Sequence, residues 1–303
     1  MTHQSFSAKP LRTLRHPRQV IRILVPWLKR PYLRAVAISL LTSFLLCADL
    51  AFAGVAVQYK EGAIHGFLVL STLQGNAIAQ GDMTQIAHGD RITNHLLFHF
   101  KDGSLHDETA IFTQAGEFRL LSYHLVQRGP AFPHPTEVWI DMSKGEVTVH
   151  SDDGENSNSS KDQTKADHPA LPTDVSNGLV LTLLKNIRPG SPEFKVSMVA
   201  ATPKPRVVKL AISTQGEDQF TVAGSRRKAT HFVIKVEIPG PAGLVAEVAG
   251  KQPPDTHVWI LQGEAPAFVK SEGPMFADGP IWRTEIASPK WPQLSARDSK
   301  DHP

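Results

Sequence analysis

From about residue 54 onward, apolar and polar residues alternate one by one through much of the chain. In "ATHFVIKVEI", Phe232, Ile234, Val236 and Ile238 share one phase, while His231, Lys235 and Glu237 share the other. Phe194, Val196 and Met198 repeat the pattern in "PEFKVSMVA", as do Val208, Leu210 and Ile212 in "RVVKLAI". Successive side chains of a strand point to opposite faces, so this alternation predicts half-buried antiparallel strands. Candidate strands recur every 8–14 residues, with Gly, Pro, Asp or Asn between them. The spacing predicts a mainly β fold, with hairpins meandering through a curved antiparallel sheet or half-barrel rather than βαβ crossovers.

One segment follows the helical period instead. "LPTDVSNGLVLTLLKNI" places Val175, Leu179, Leu183 and Ile187 four residues apart. Thr173 suits an N-cap, Asp174 suits the positive helix start, and Asn186 and Pro189 mark an end. The pattern predicts one amphipathic helix over Thr173–Ile187, packed against the sheet. Gly178 inside it would cost about 1 kcal/mol relative to Ala.

The stretch "HLLFHFKDGSLHDETAIF", His95–Phe112, carries the densest polar chemistry. Asp-Gly between alternating runs is a strong hairpin marker. A two-residue turn at Asp102-Gly103 sets His99 opposite His106, Phe98 opposite Asp107 and Leu97 opposite Glu108. His95, His99, His106 and Glu108 then share a face, and Phe98, Phe100 and Leu105 take the other. Two imidazoles and a carboxylate, His99, His106 and Glu108, would suit zinc or another borderline metal completed by water. The plainer reading is a solvated outer face with inter-strand hydrogen bonds. Asp107 falls beside Phe98 on the apolar side, where a carboxylate needs a partner.

No other stretch fixes a reaction. There is no G-x-S-x-G elbow, P-loop, G-x-G-x-x-G after a strand or H-E-x-x-H. The sequence therefore names no catalytic residue and requires no cofactor, a metal being the one possibility raised.

Charge is divided unevenly. Residues 1–53 hold eight Lys and Arg against the single acid Asp49, which leaves 24 bases and 28 acids for the rest. A mildly acidic body lacks the clustered Lys and Arg that bind nucleic acid. The basic stretch leads into "AVAISLLTSFLLCADLAFA", with an apolar core Ala35–Leu46 and small residues at Ala51 and Ala53. This reads as a signal peptide cut before Gly54, or as an uncleaved N-terminal anchor, since Ala35–Val57 is long enough to span a bilayer. Either reading exports the body, to the periplasm or beyond the cell, with membrane association through the N-terminal segment if it stays uncut. Cys47 is the sole cysteine, and bulky Leu46 before it does not suit lipoprotein acylation. A body without cysteine has neither disulfides nor thiolate ligands, so its stability comes from a core.

Ser151–His168 has no aliphatic or aromatic side chain except one Ala. Such a stretch buries too little apolar area to offset backbone ordering, which predicts a disordered polar insertion. The expected organisation is a leader (1–53), a first β half (54–150), the insertion (151–168), a helix plus second β half of the same domain (169–291), and a flexible tail (292–303).

The order of features resembles a group of bacterial envelope families of unknown function, similar in architecture to the periplasmic lipoprotein carriers. The residues that carry it are the leader, the meander "FHFKDGSLHDETAIFTQAGEFRL", the "LPTDVSNGLVLTLLKNI" segment, and the late strands "THVWI" and "PAFVKSEG…GPIWRTEI". The leader lacks a lipobox, and one helix is apparent where the carriers have more. The resemblance implies a curved sheet around a helix, holding an apolar small molecule or lipid without catalysis. Phe232, Ile234, Val236, Leu179 and Leu183 would line the site. Two alternatives stand beside it: a structural module meeting an envelope protein through its edges or outer face, and a metal-dependent hydrolase at His99, His106 and Glu108.

Overall fold

The computed structural model describes residues 54–151, 165–167, 171–202, 205–222, 224–238 and 252–288. The first half supplies β1 (Ile64–Thr72), β2 (Ala77–His88), β3 (Arg91–Phe100), β4 (Leu105–Thr113), β5 (Arg119–Arg128), β6 (Thr136–Asp141), β7 (Glu146–Ser151) and β8 (Lys165–Asp167). A short helix, α1 (Val180–Lys185), follows. The second half supplies β9 (Phe194–Ala200), β10 (Arg206–Val222), β11 (Ser225–Glu237), β12 (Thr256–Leu261), β13 (Ala267–Gly273) and β14 (Trp282–Ile286).

These strands form one antiparallel sheet in the order β8-β7-β6-β5-β4-β3-β2-β1-β14-β13-β12-β11-β10-β9. Two meanders, one from each half of the chain, meet where β1 pairs with β14, with Leu68 opposite Ile286. Among the described residues β8 and β9 are the edge strands, so the sheet is an open strip. Its curvature follows from the packing. Phe112, Leu125, Ile140 and Val147 of the first meander share one core cluster with Val196, Ile212, Phe232 and Ile260 of the second. Strands far apart in the sheet order touch because the strip bends over on itself. A second cluster, with Leu70, Phe98, Phe100, Phe132 and Trp282, sits where the meanders join.

The helix is shorter than its sequence pattern predicts. Gly178 adopts φ +70°, which ends any helical run there. The polar residues before it bond to β9 rather than to a helix. Asn177 accepts from the Val199 N–H and donates to the Val199 carbonyl, both at 2.9 Å. Ser197 Oγ donates to Asp174 Oδ1 at 2.7 Å, and Val175 forms a parallel bridge with Ser197. Asp, Ser and Asn often trade helical bonds for such local ones. Residues 174–178 thus blunt the β9 edge and lead into α1, whose Leu183 and Leu184 enter the core.

The entry segment is tied across the same end. Asn186 Oδ1 accepts from the Gln58 and Tyr59 N–H groups at 2.8 and 2.7 Å. Glu61 pairs with Lys185 at 2.5 Å and accepts from Gln85 at 2.9 Å. The expected leader and tail lie outside the described residues. So does most of the expected insertion, but its two ends are strand: Ser151 closes β7, and Lys165–Asp167 is β8.

Candidate functional site

The hairpin at the densest polar stretch has a three-residue loop, not two. Gly103 N–H donates to the Phe100 carbonyl at 3.1 Å, and Phe100 N–H donates to the Ser104 carbonyl at 3.0 Å. Gly103 takes φ +87° while Asp102 keeps a negative φ, the pattern of a type I turn with a glycine bulge. The pairing therefore slips by one from the expected register: His99 faces Leu105, Phe98 faces His106, Leu97 faces Asp107 and Leu96 faces Glu108. A one-residue slip turns one strand over relative to its neighbour.

This slip separates the expected metal ligands. His99 is exposed on the outer face, whereas His106 and Glu108 point inward. Among the described residues no group of three or more His, Cys, Asp or Glu is arranged to hold a metal ion. Asp107 and Leu105 also turn outward rather than into the core. Asp107 then meets His95 at 2.8 Å and needs no buried partner.

The inward turn of His106 and Glu108 creates a polar lane on the concave face. His106 is 4% exposed and lies between the rings of Phe98 and Phe132. Gln127 Nε2 donates to the Met275 carbonyl at 2.9 Å and to His106 Nδ1 at 3.0 Å. An amide nitrogen only donates, so Nδ1 is the acceptor and the ring proton belongs on Nε2. Nε2 lies 3.4 Å from Glu108 Oε2 but makes no hydrogen bond. Tyr123 hydrogen-bonds Glu108. Burial pushes the Tyr123 hydroxyl well above its ordinary range, and the charge and hydrogen bond of Glu108 push it further, so it stays the donor. Asn94 on β3, opposite Ala110, also faces inward, and its Oδ1 is buried without a partner. Buried polar atoms almost always find partners, so two such atoms on one inner face are unusual.

An apolar strip adjoins this lane. Leu96 lies directly opposite Glu108, and Met83 lies opposite Leu96. Both face inward yet are only partly buried. Ile64 pairs with Gln85 and Ile286 with Leu68, which places both on the inner face, where they are 39% and 54% exposed. The inner face is therefore open at Ile64 and Ile286, at the ends of β1 and β14, while Leu68, Leu70 and Phe98 beside them are buried.

The expected lining residues lie elsewhere. Phe232, Ile234, Leu179 and Leu183 are 0–6% exposed and packed in the larger core cluster, with Val236 partly buried against it. Residues 174–185 fill the concavity at that point, so these side chains meet protein rather than a ligand. The partly buried or exposed apolar side chains of the inner face are instead Met83, Leu96, Ile64 and Ile286. Asn94 and Gln127 were missed, although each breaks the apolar phase of its own strand: Asn94 is in phase with Ile92 and Phe98, and Gln127 with Tyr123 and Leu125.

No family model matches the chain. FLYWCH family member 2 from Mus musculus is 30% identical over 92 residues, covering 30% of this chain and 66% of that protein. The chain thus spans slightly less than two thirds of that relative's length. Among solved structures, the chain is similar to a β-barrel-like protein of Domain of Unknown Function DUF1849 from Brucella abortus. The TM-score is 0.42 and the identity 9%, over 75% of this chain and 94% of that one.

Proposed function

We propose that this is an exported, non-enzymatic envelope protein that holds an apolar molecule bearing a hydroxyl or amide head on its concave face. The carrying observation is the pair of buried atoms without a hydrogen bond, His106 Nε2 and Asn94 Oδ1, on the same inner face as Glu108 and near apolar side chains that end in exposed Ile64 and Ile286. His106 offers a donor, while Asn94 and Glu108 offer acceptors. A head group that both gives and takes a hydrogen bond satisfies such a lane, and a bare hydrocarbon does not. The tail would lie over Leu96, Met83, Ile64 and Ile286, gaining roughly 25 cal/mol per Å² of apolar area covered. The likeness to lipoprotein carriers and the export leader, both read from the sequence, support the same reading.

Native mass spectrometry of gently purified protein, with titration of a fluorescent fatty alcohol, tests it. The expected result is bound probe, displaced by unlabelled fatty alcohol. Ile286→Asp, at an exposed position, should weaken binding at least tenfold with an unchanged melting temperature. Failure of the native protein to bind the probe, or unaltered binding by Ile286→Asp, counts against the proposal.

A further inference from the structure

The outer face of the first meander carries a regular pattern that the concave site does not use. Reading straight across the strands, the outward residues run His65, Thr84, His95, Thr109, His124 and Trp139, each opposite the next. A parallel row two residues away carries Asp82, Asp107 and Glu137. Each histidine of the first row meets an acid of the second: His65 with Asp82 at 3.2 Å, His95 with Asp107 at 2.8 Å, and His124 with Glu137 at 2.9 Å. One His–carboxylate pair thus appears in each of the strand pairs β1–β2, β3–β4 and β5–β6, all with more than a quarter of their side-chain surface accessible.

Trp139 ends the row as a fixed platform. Its ring stacks on His124 with centroids 3.5 Å apart and planes 15° apart. Its Nε1 donates to Glu137 Oε1 at 3.1 Å, the oxygen that also meets His124. The residue is nevertheless 49% exposed. One face of the indole is covered by His124, and a half-exposed indole fixed in this way can stack its other face against the C–H face of a sugar ring.

We propose that the outer face of β1–β6 is a track for a linear β-linked glycan, with Trp139 stacking one sugar and the His–carboxylate pairs bonding successive hydroxyls. The pairs recur every second strand, and strands lie about 4.8 Å apart, so the repeat is about 9.6 Å. That matches the disaccharide repeat of an extended β-linked glycan. Imidazole and carboxylate side by side offer the mixed donors and acceptors that vicinal hydroxyls require. Other polymers fit poorly. An extended peptide repeats at about 6.8 Å per dipeptide and pairs with a strand edge rather than a face. Nucleic acid phosphates would meet a row of carboxylates.

The test is calorimetric titration of the full chain with β-1,4-linked N-acetylglucosamine and glucose oligomers, from disaccharide to hexasaccharide, with α-linked maltohexaose for comparison. Affinity for at least one β-linked series is expected to rise with each added disaccharide and to exceed that for maltohexaose. Trp139→Ala should weaken hexasaccharide binding at least tenfold. His95→Ala, in the middle of the track, should abolish the gain with length. Both variants should melt at the native temperature, because the altered side chains are outside the core. The proposal is overturned if neither β-linked series binds, if affinity is flat with length, if maltohexaose binds equally well, or if Trp139→Ala leaves affinity unchanged.

Discussion

His231 shows how one side chain couples the outer face of the second meander to pH. It stacks on Trp259 at 4.3 Å, and its Nε2 lies 2.9 Å from His257 Nδ1. Asp218 accepts from Trp259 Nε1 at 2.7 Å and lies 3.4 Å from His231 Nδ1. Burial is the main cause that lowers the His231 pKa below its ordinary 6.5, aided by His257 and Lys270 and opposed by Asp218 and Glu272. A histidine with a lowered folded pKa takes up its proton more readily in the unfolded chain. Stability is therefore retained above the unfolded value and falls as pH drops below it toward the folded value. His231→Phe keeps the stacking and removes the titration, while Asp218 keeps its bond to Trp259. Its urea midpoint should fall less than that of the native protein between about pH 7.5 and about pH 5.5. An equal fall in both proteins would show that other groups carry the acid sensitivity. Single side chains also decided what the sequence left hidden in the first meander. Asp102-Gly103 supports either a two-residue or a three-residue loop. Only the negative φ of Asp102 and positive φ of Gly103 choose between them. That choice determines whether His106 faces water or the core.

The segment joining the two meanders behaves as a plug, with Gly178 at its tightest point. A Cβ there would lie 2.7 Å from the Ala110 Cβ and 3.0 Å from Glu108 Oε1, at a backbone φ of +70°. Gly178→Ala combines a left-handed backbone penalty with overpacking, for an expected loss of about 2–4 kcal/mol. Because the added methyl group presses on Glu108, it should also weaken the fatty-alcohol binding proposed for the concave lane. Chemical denaturation and the fatty-alcohol titration read the two effects; a stability change under about 0.5 kcal/mol would show that the plug is loosely seated. The helical period of this stretch was visible in the sequence, and Val175, Leu179 and Leu183 are all buried as it implies. Its length was not visible. Asp174, Ser176 and Asn177 bond to β9, a strand from later in the chain, and no local pattern announces that partner. The strands themselves were legible because period-two alternation is local. Phe232, Ile234, Leu210 and Ile212 all face the core as their phase requires.

At the scale of the whole sheet, the described residues form an open strip bent over a shared apolar core, with polar ties across one end. Alternation along strands says which faces are apolar but not how sharply the strip bends. The sequence therefore could not show that Phe232 and Leu179 would be sealed in the core while Ile286 stayed open. The entry segment, the helix end and the first meander are also pinned together at one end of the bent strip. Glu61 is the centre of that pin: its carboxylate pairs with Lys185 and accepts from Gln85, and its backbone exchanges two hydrogen bonds with the Gln114 side chain, at 2.7 and 3.1 Å. The Glu61 and Lys185 side chains are only 5% and 14% exposed. Removing one charge of so buried a pair leaves the other without compensation, so Lys185→Met should cost about 3–5 kcal/mol. Removing both, with Glu61→Gln and Lys185→Met together, keeps a polar group for Gln85 and strands no charge, so the double variant should recover most of that loss. Denaturant unfolding of the four proteins closes the cycle. If Lys185→Met alone is as stable as the native protein, the pin is incidental, and the bend must be set by the apolar clusters alone.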